Sequence, residues 1–306
     1  MDVDVAIVGA GPAGISAAIW AHTLKLRYAV LEAAREPGGQ LLRVHNRVLD
    51  YAGLPSENGA ALAERICAHA EMLGVTILPS ATVSAVDVER GLIRIGESTV
   101  TSRHVVLATG VRARTLGIPG EAVFVGRGVS PSASRFAEQF RGCRVIVVGG
   151  GDAAFEEALI LSEVCEHVTL IHRSDRYSAR RDFRDRVDGD PRIDVVPFAE
   201  LIAIEGVDRV ERVRVRLDDT LASLDVAGVF VCVGVEPNSE LVAGQVELDH
   251  RGYVVVDSRM RTSTDRLYAV GDVRSGSSLT IAAAVGEGAT AVKDIQRQTA
   301  EAANHD

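Results

Sequence analysis

An apolar, β-branched run, Val3 to Val8, leads straight into Gly9-Ala10-Gly11-Pro12-Ala13-Gly14, and an alanine-rich apolar segment, Ile15 to Ala21, continues at helical spacing. Strand, G-x-G-x-x-G turn and helix in that order form the first half of a dinucleotide-binding βαβ unit. Gly9 allows the tight turn, Gly11 lets a pyrophosphate approach the backbone, and Gly14 lets the helix pack close to the strand. The helix, opening at Pro12 and Ala13, turns free N–H groups and the positive end of its dipole toward the phosphates. Glu32 closes the next strand, Tyr28 to Leu31, about 20 residues further on, where a carboxylate accepts ribose hydroxyls.

A second unit begins at Arg144. Val145 to Val148 reads as a strand, Gly149-Gly150-Gly151-Asp152-Ala153-Ala154 as a G-x-G-x-x-A turn, and Phe155 to Val164 as a helix. Two such units imply two dinucleotides, or one unit that has lost its ligand. The following strand, Val168 to Ile171, ends in His172-Arg173 rather than in an acid, and a base there favours a 2′-phosphate, hence NADP over NAD. Arg173 is assigned to that phosphate and Arg180 is counted with it. The run from Arg176 to Arg186, interleaved with Asp182 and Asp185, reads equally well as a solvated helix face.

The remaining chain is α/β in texture. Pro37-Gly38-Gly39-Gln40-Leu41 is either a plain turn or a place where bare backbone meets a flat ligand. Gly59 to Leu73 is helical and Gly74 ends it; Val75–Leu78, Thr82–Val88, Leu92–Ile95, Ser98–Ser102 and Val105–Leu107 read as strands. Val229 to Val233 leads into the turn Gly234 to Asn238, and Leu267 to Val270 ends in Gly271-Asp272. A helix starts near Thr280 and Ile281, and the tail from Gln298 reads as short, polar and frayed.

The 306 residues suffice for two cores, and the net charge of −9 does not favour nucleic acid or an anionic membrane as partner. The N-terminus lacks a basic n-region and no apolar run is long enough to span a bilayer, so a cytoplasmic protein is expected. The four cysteines, Cys67, Cys143, Cys165 and Cys232, form no C-x-x-C and no zinc pattern, and no metal site is expected. Cys143 and Cys232 sit in apolar runs and read as buried thiols.

Gly9 to Gly14, Glu32, Gly38 to Leu41, Ala108-Thr109-Gly110 and Gly271-Asp272 together resemble the low-molecular-weight thioredoxin reductases and their relatives, two-domain FAD and NADPH flavoproteins, over nearly the whole chain. The resemblance implies an α/β fold of two Rossmann-like dinucleotide-binding domains with three-layer ββα character, the second inserted in the first. The FAD domain would comprise residues 1–112 and 239–306, and the NAD(P)H domain residues 113–238. It implies FAD contacts from Gly39, Gln40, Leu41, Ala108, Thr109 and Gly110, with Asp50 and Val83 counted among them. Asp272 would bond the ribityl chain, and the helix at Thr280-Ile281 would face the flavin N1/C2 edge. Gly149, Gly151, Asp152, Ala153, His172 and Arg173 would serve NADPH, and a homodimer is implied. Where the family has a further pair of arginines this chain has Ser174 and Ser178, which opens the way to weak NADPH use or to NADH.

One departure is chemical. The family's reductases carry a C-x-x-C dithiol followed by an acid; in Gly128 to Phe136, Ser132 and Arg135 stand at the cysteine positions and Phe136 at the acid. A hydroxyl forms neither a thiolate nor a disulfide, so exchange at this place is excluded. The chain thereby resembles the thioredoxin reductase-like ferredoxin–NADP reductases, whose second fingerprint also reads G-G-G-D-x-A, though its tail is shorter than theirs. The expected activity is hydride uptake from NAD(P)H and direct delivery to ferredoxin, flavodoxin, a quinone or another small acceptor, with no catalytic side chain required. The alternatives are direct reaction of a small thiol or disulfide at the flavin, and a low-turnover flavin-binding sensor or partner protein.

Overall fold

Val5 and Ile7 point to one face of the first strand, Ala6 and Val8 to the other, and all four are buried. A strand buried on both faces belongs in the middle of a layered sheet. The computed structural model, which describes residues 1–44, 47–130 and 132–303, places it there.

In chain order the elements are β1 (Asp2–Val8), α1 (Pro12–Thr23), β2 (Tyr28–Leu31), α2 (Gly59–Met72), β3 (Ile77–Leu78), β4 (Val83–Asp87), β5 (Leu92–Ile95), β6 (Ser98–Leu107) and β7 (Val111–Ala113). They continue with β8 (Val129–Ser130), α3 (Ala133–Phe136), β9 (Arg144–Val148), α4 (Asp152–Ser162), β10 (His167–Ile171), α5 (Arg181–Asp188), β11 (Ile193–Val196), β12 (Ala199–Glu205), β13 (Arg212–Leu217), β14 (Thr220–Asp225) and β15 (Gly228–Val231). The last are β16 (Val235–Pro237), β17 (Leu267–Ala269) and α6 (Ile281–Ala303). The chain divides into two compact units, Met1–Arg112 with Glu236–Asp306, and Ala113–Val235.

In the first unit β3, β2, β1, β6 and β17 lie side by side and parallel, while β4 and β5 run antiparallel on the early half of β6. Val5, Ile7 and Val106 pack against α1 and α6; Ala6, Val8, Val105 and Leu107 pack against Val86, Ile93 and Val100 of the antiparallel strands. The result is helix, parallel sheet and antiparallel sheet in three layers. α1 and α6 meet almost backbone to backbone: Ser16 Oγ donates to the Val285 carbonyl at 2.6 Å, and a Cβ on Gly288 would lie 2.3 Å from the Ala13 carbonyl oxygen.

The second unit repeats the plan. β11-β10-β9-β15-β8 form a parallel sheet, with α4 on Val145 and Val147 and the β12-β13-β14 sheet on Ile146 and Val148. The resemblance implied this outer layer, but its strands were not placed in the sequence, although Arg212 to Leu217 alternates arginine with apolar residues at the period of a half-buried strand.

Three expectations are corrected. β6 is one strand through Ser102 and His104, because Ser102 Oγ satisfies itself on the His104 carbonyl at 2.6 Å. The helix does not stop at Gln298: α6 runs to Ala303, helped by the Arg297–Glu301 pair at 3.2 Å, and residues 304–306 lie outside the described residues. Cys143 is only partly covered, and Cys165 is buried. Among the described residues no helix is long and apolar enough to cross a membrane.

Candidate functional site

The C-terminal ends of β1, β2, β6 and β17 open into a cleft of about 430 Å³. Gly9, Gly11, Pro12 and Ala13 line it from the first turn, Glu32 from the end of β2, and Val83 from β4. Gly39, Gln40 and Leu41 come from the next loop, Ala108, Thr109 and Gly110 from the end of β6. Gly271, Asp272, Thr280 and Ile281 close the far side.

The turn that carries the cleft needs its glycines. Gly9 has φ +104° and donates to the Leu31 carbonyl at 2.8 Å; a Cβ there would sit 2.4 Å from the Ala108 carbonyl oxygen. Gly14 does not line the cleft but lies beneath it, where a Cβ would be 1.9 Å from the Gly9 carbonyl oxygen. Gly11 and Gly39 face each other across a floor without side chains, a Cβ on Gly39 falling 3.0 Å from Gly11 Cα. α1 begins with no acidic residue in its first turn, so its N-terminal N–H groups stay open to an anion.

Glu32 holds the turn as well as facing the cleft: Oε2 accepts from Ala10 N–H at 2.6 Å and Oε1 from Ala34 N–H at 2.7 Å. Gln40 Nε2 donates to the Val111 carbonyl at 2.5 Å. Thr109 Oγ1 donates to the Asn238 carbonyl at 2.6 Å, and Asn238 Nδ2 returns a bond to the Thr109 carbonyl at 2.8 Å. Gly271 N–H donates to Glu287 at 2.7 Å, and Glu287 also holds Arg274. Burial, then the Glu287 charge, push the Asp272 carboxyl above its ordinary range, against a bond from Ser277. Thr280 Oγ1 accepts from Ala283 N–H at 3.4 Å at the start of α6.

A bare-glycine floor, an open helix N-terminus and carboxylates at both ends fit an extended dinucleotide such as FAD, with Glu32 toward a ribose, Gly11 to Ala13 at the pyrophosphate and Asp272 at the ribityl end. Asp50 is exposed and is not among the residues lining the cleft. Asn238 and Leu241 line the cleft and were missed. Only the P-N turn after β15 hinted at Asn238.

The second turn is built alike. Gly149 has φ +154° and donates to the Ile171 carbonyl at 3.0 Å; a Cβ there would lie 2.3 Å from the Cys232 carbonyl oxygen. Its helix N-terminus differs. Gly151 is the N-cap, Ala153 is exposed in the first turn, and Asp152 is engaged by Arg180, through the backbone N–H at 2.7 Å and Nε at 3.0 Å. The Arg180 guanidinium also lies 4.6 Å from the Phe183 ring centroid. Arg180 is thus paired with Asp152 at an exposed place, in a contact worth about 1 kcal/mol or less. His172 is occupied too: Nδ1 lies 2.9 Å from the Ser174 carbonyl and the ring covers Gly150. Arg173 is exposed and has no ion pair among the described residues. An Arg173→Ala variant is expected to raise the KM for NADPH about tenfold and leave that for NADH unchanged; initial rates with the two nucleotides measure this.

The family model for pyridine nucleotide-disulphide oxidoreductases matches residues 3–288. The chain belongs to that family. A thioredoxin reductase of Mycolicibacterium smegmatis is 39% identical over 306 residues, 97% of each chain. The crystal structure of Lactococcus lactis thioredoxin reductase matches with a TM-score of 0.90 at 30% identity, over 98% of this chain and 99% of that one. A ferredoxin-flavin thioredoxin reductase of Clostridium acetobutylicum matches with a TM-score of 0.54 at 28% identity, over 98% and 99%.

All four cysteines are free thiols. Burial pushes the Cys67 thiol up. Burial, then the neighbouring Cys143, push Cys165 to about 11; burial, then Glu157, push Cys232 to about 12. Cys143 and Cys165 precede β9 and β10, at the opposite end of those strands from the Gly149 turn, roughly 17 Å away by the strand rise. Pro131, inside the stretch Gly128 to Phe136, lies outside the described residues. Glu157 of α4 accepts from Ala133 N–H at the start of α3. Burial raises that carboxyl to about 7. Among the described residues no three metal-ligating side chains are grouped.

Proposed function

We propose that this protein is an FAD-dependent NAD(P)H oxidoreductase that delivers electrons from the flavin directly to an external acceptor, without a protein dithiol. The chemistry supplied by bound FAD is acceptance of hydride from NAD(P)H and release of electrons to a small molecule or electron-carrier protein. The chain's own part is to hold and to bias. Gly11, Pro12, Ala13 and Gly39 give the pyrophosphate bare backbone and a helix N-terminus; Glu32 and Asp272 accept from hydroxyls; Thr280 and Ile281 bring the α6 N-terminus to the cleft. Arg173 offers a cation for a 2′-phosphate.

The observation that carries this reading is the stretch Gly128 to Phe136, with Ser132 and Arg135 in place of a C-x-x-C. Thiols at about 11 and about 12 are not nucleophiles at neutral pH and do not substitute for it. Reduction of the purified holoenzyme by NADPH under anaerobic conditions tests the reading. Bleaching of the flavin band, followed by turnover with ferricyanide or ferredoxin that survives replacement of all four cysteines by serine, is the expected result. Turnover of thioredoxin disulfide that disappears in the same variant would contradict it.

A further inference from the structure

The cleft wall at Gly271 and Asp272 is held from behind. After β17 the chain makes a short 3₁₀ turn, Gly271–Val273, with Gly271 at φ +74° and a Cβ there only 3.0 Å from Ala13 Cβ. The Gly271 N–H donates to Glu287 Oε2 at 2.7 Å. Glu287 is 7% exposed on α6 and does not itself line the cleft. Its other oxygen, Oε1, accepts from Arg274 Nη2. Arg274 Nη1 donates to the Ser275 carbonyl at 3.0 Å, so the guanidinium is fixed from two sides. A largely buried ion pair thus ties α6 to the turn that presents Asp272.

Holding the turn does not require charge. A glutamine in place of Glu287 would also accept from the Gly271 N–H, and an ion pair out of water is a weak device for stability, because both charges lose their hydration. What a neutral residue could not supply is a cation. Among the described residues no lysine, arginine or histidine lines the cleft, whereas Glu32 and Asp272 both do. Arg274 brings a positive charge up behind the wall, one hydrogen-bonded group removed from Gly271.

The charges at this end are also unequal in number. Asp272 has no ion pair among the described residues, and its Oδ1 accepts from Ser277 Oγ at 3.5 Å. Two carboxyls therefore share one guanidinium. Their mutual influence is visible at Asp272, whose carboxyl is held above its ordinary range first by burial and then by the Glu287 charge, against the Ser277 bond. A charge that reaches Asp272 also reaches a group bonded to Asp272.

We propose that Glu287 and Arg274 are positioning residues that set the reduction potential of the bound flavin. Glu287 fixes the Gly271-Asp272 turn and anchors Arg274, and the guanidinium offsets the carboxylates that would oppose the negative charge reduction brings to the flavin. Fixed charge beside a cofactor is the means by which a protein tunes its electronics. Both roles presuppose FAD in the cleft, as proposed above, and are independent of the electron acceptor.

Arg274→Gln, Glu287→Gln and the two together test it. FAD is titrated into each apoprotein by fluorescence, and the midpoint potential of each holoprotein is measured against a redox dye. Arg274→Gln leaves two carboxyls without a cation. It is expected to weaken FAD binding and to lower the potential by about 30 mV, the two-electron equivalent of a tenfold shift in preference toward oxidised FAD. Glu287→Gln keeps the acceptor for the Gly271 N–H and leaves Arg274 unneutralised, so the potential should rise by a similar amount. The double variant carries neither charge and should return close to the wild-type potential. If Arg274→Gln takes up no FAD, recovery of binding in the double variant is the expected result. A tie that is merely structural would alter affinity and melting temperature without giving the two single variants opposite signs of potential shift. Equal potentials in all the proteins, shifts of one sign in both single variants, or a double variant no closer to wild type than Arg274→Gln would overturn the inference. A wild-type apoprotein that does not bind FAD would instead overturn the reading of the cleft, and the inference with it.

Discussion

Gly14→Val is expected to leave the first unit unable to hold FAD. The new Cβ would lie 1.9 Å from the Gly9 carbonyl oxygen, and backbone on backbone has no flexible end that can move aside. α1 would have to lift from β1, losing the close approach that brings its N-terminus to the cleft. We expect a loss on the order of 4 kcal/mol or more, with colourless or insoluble protein. Gly286→Ala, in an exposed part of α6 with nothing within 4 Å of the added Cβ, is the control. It should stabilise by about 1 kcal/mol through helix propensity alone. Thermal melts and flavin content of the two variants measure the contrast.

Glu157→Gln should stabilise the second unit at alkaline pH and not at acid pH. Burial, against a bond from Ala133 N–H and with a contribution from Glu156, raises the carboxyl from 4.5 to about 7. The folded chain therefore holds this proton more tightly than the unfolded one. The stability that this provides is complete below pH 4.5 and is lost as pH rises through 7. At pH 8 the ionised carboxylate should cost about 3 kcal/mol. Glutamine keeps an oxygen for the Ala133 N–H and carries no charge, so its gain over wild type should be near that value at pH 8 and near zero at pH 4.5. Denaturant melts of the two proteins across that range read it; a gain that does not vary with pH would contradict the assignment.

How far the sequence spoke depended on whether a requirement leaves a local trace. Gly9, Gly11 and Gly14 do leave one, because a left-handed φ and a sub-van der Waals approach admit only one residue type. The three-layer plan came from the family resemblance; the apolar runs of β1 and β9 marked only the strand that opens each unit. The pairing of Arg180 was not legible, because a row of arginines does not say which of them has found an acid; its partner, Asp152, is set by tertiary structure, 28 residues away. Asp50 was placed by likeness alone, with no turn or periodicity behind it, and it is exposed. Asn238 reaches the cleft across 129 residues of chain, a distance over which no pattern in the sequence operates. Glu157 could have been noticed: it lies on the same stripe of α4 as Ala154, Ala158 and Leu161, all buried, and an acid on an apolar stripe is a perturbed acid.

The proposed electron path has the flavin as its sole redox centre. Anaerobic titration of the FAD-loaded protein with dithionite, followed at the flavin band, counts the reducing equivalents directly. Complete bleaching by one two-electron equivalent per flavin is predicted. Uptake of a further equivalent before the flavin bleaches, with new thiols appearing on the protein, would contradict it.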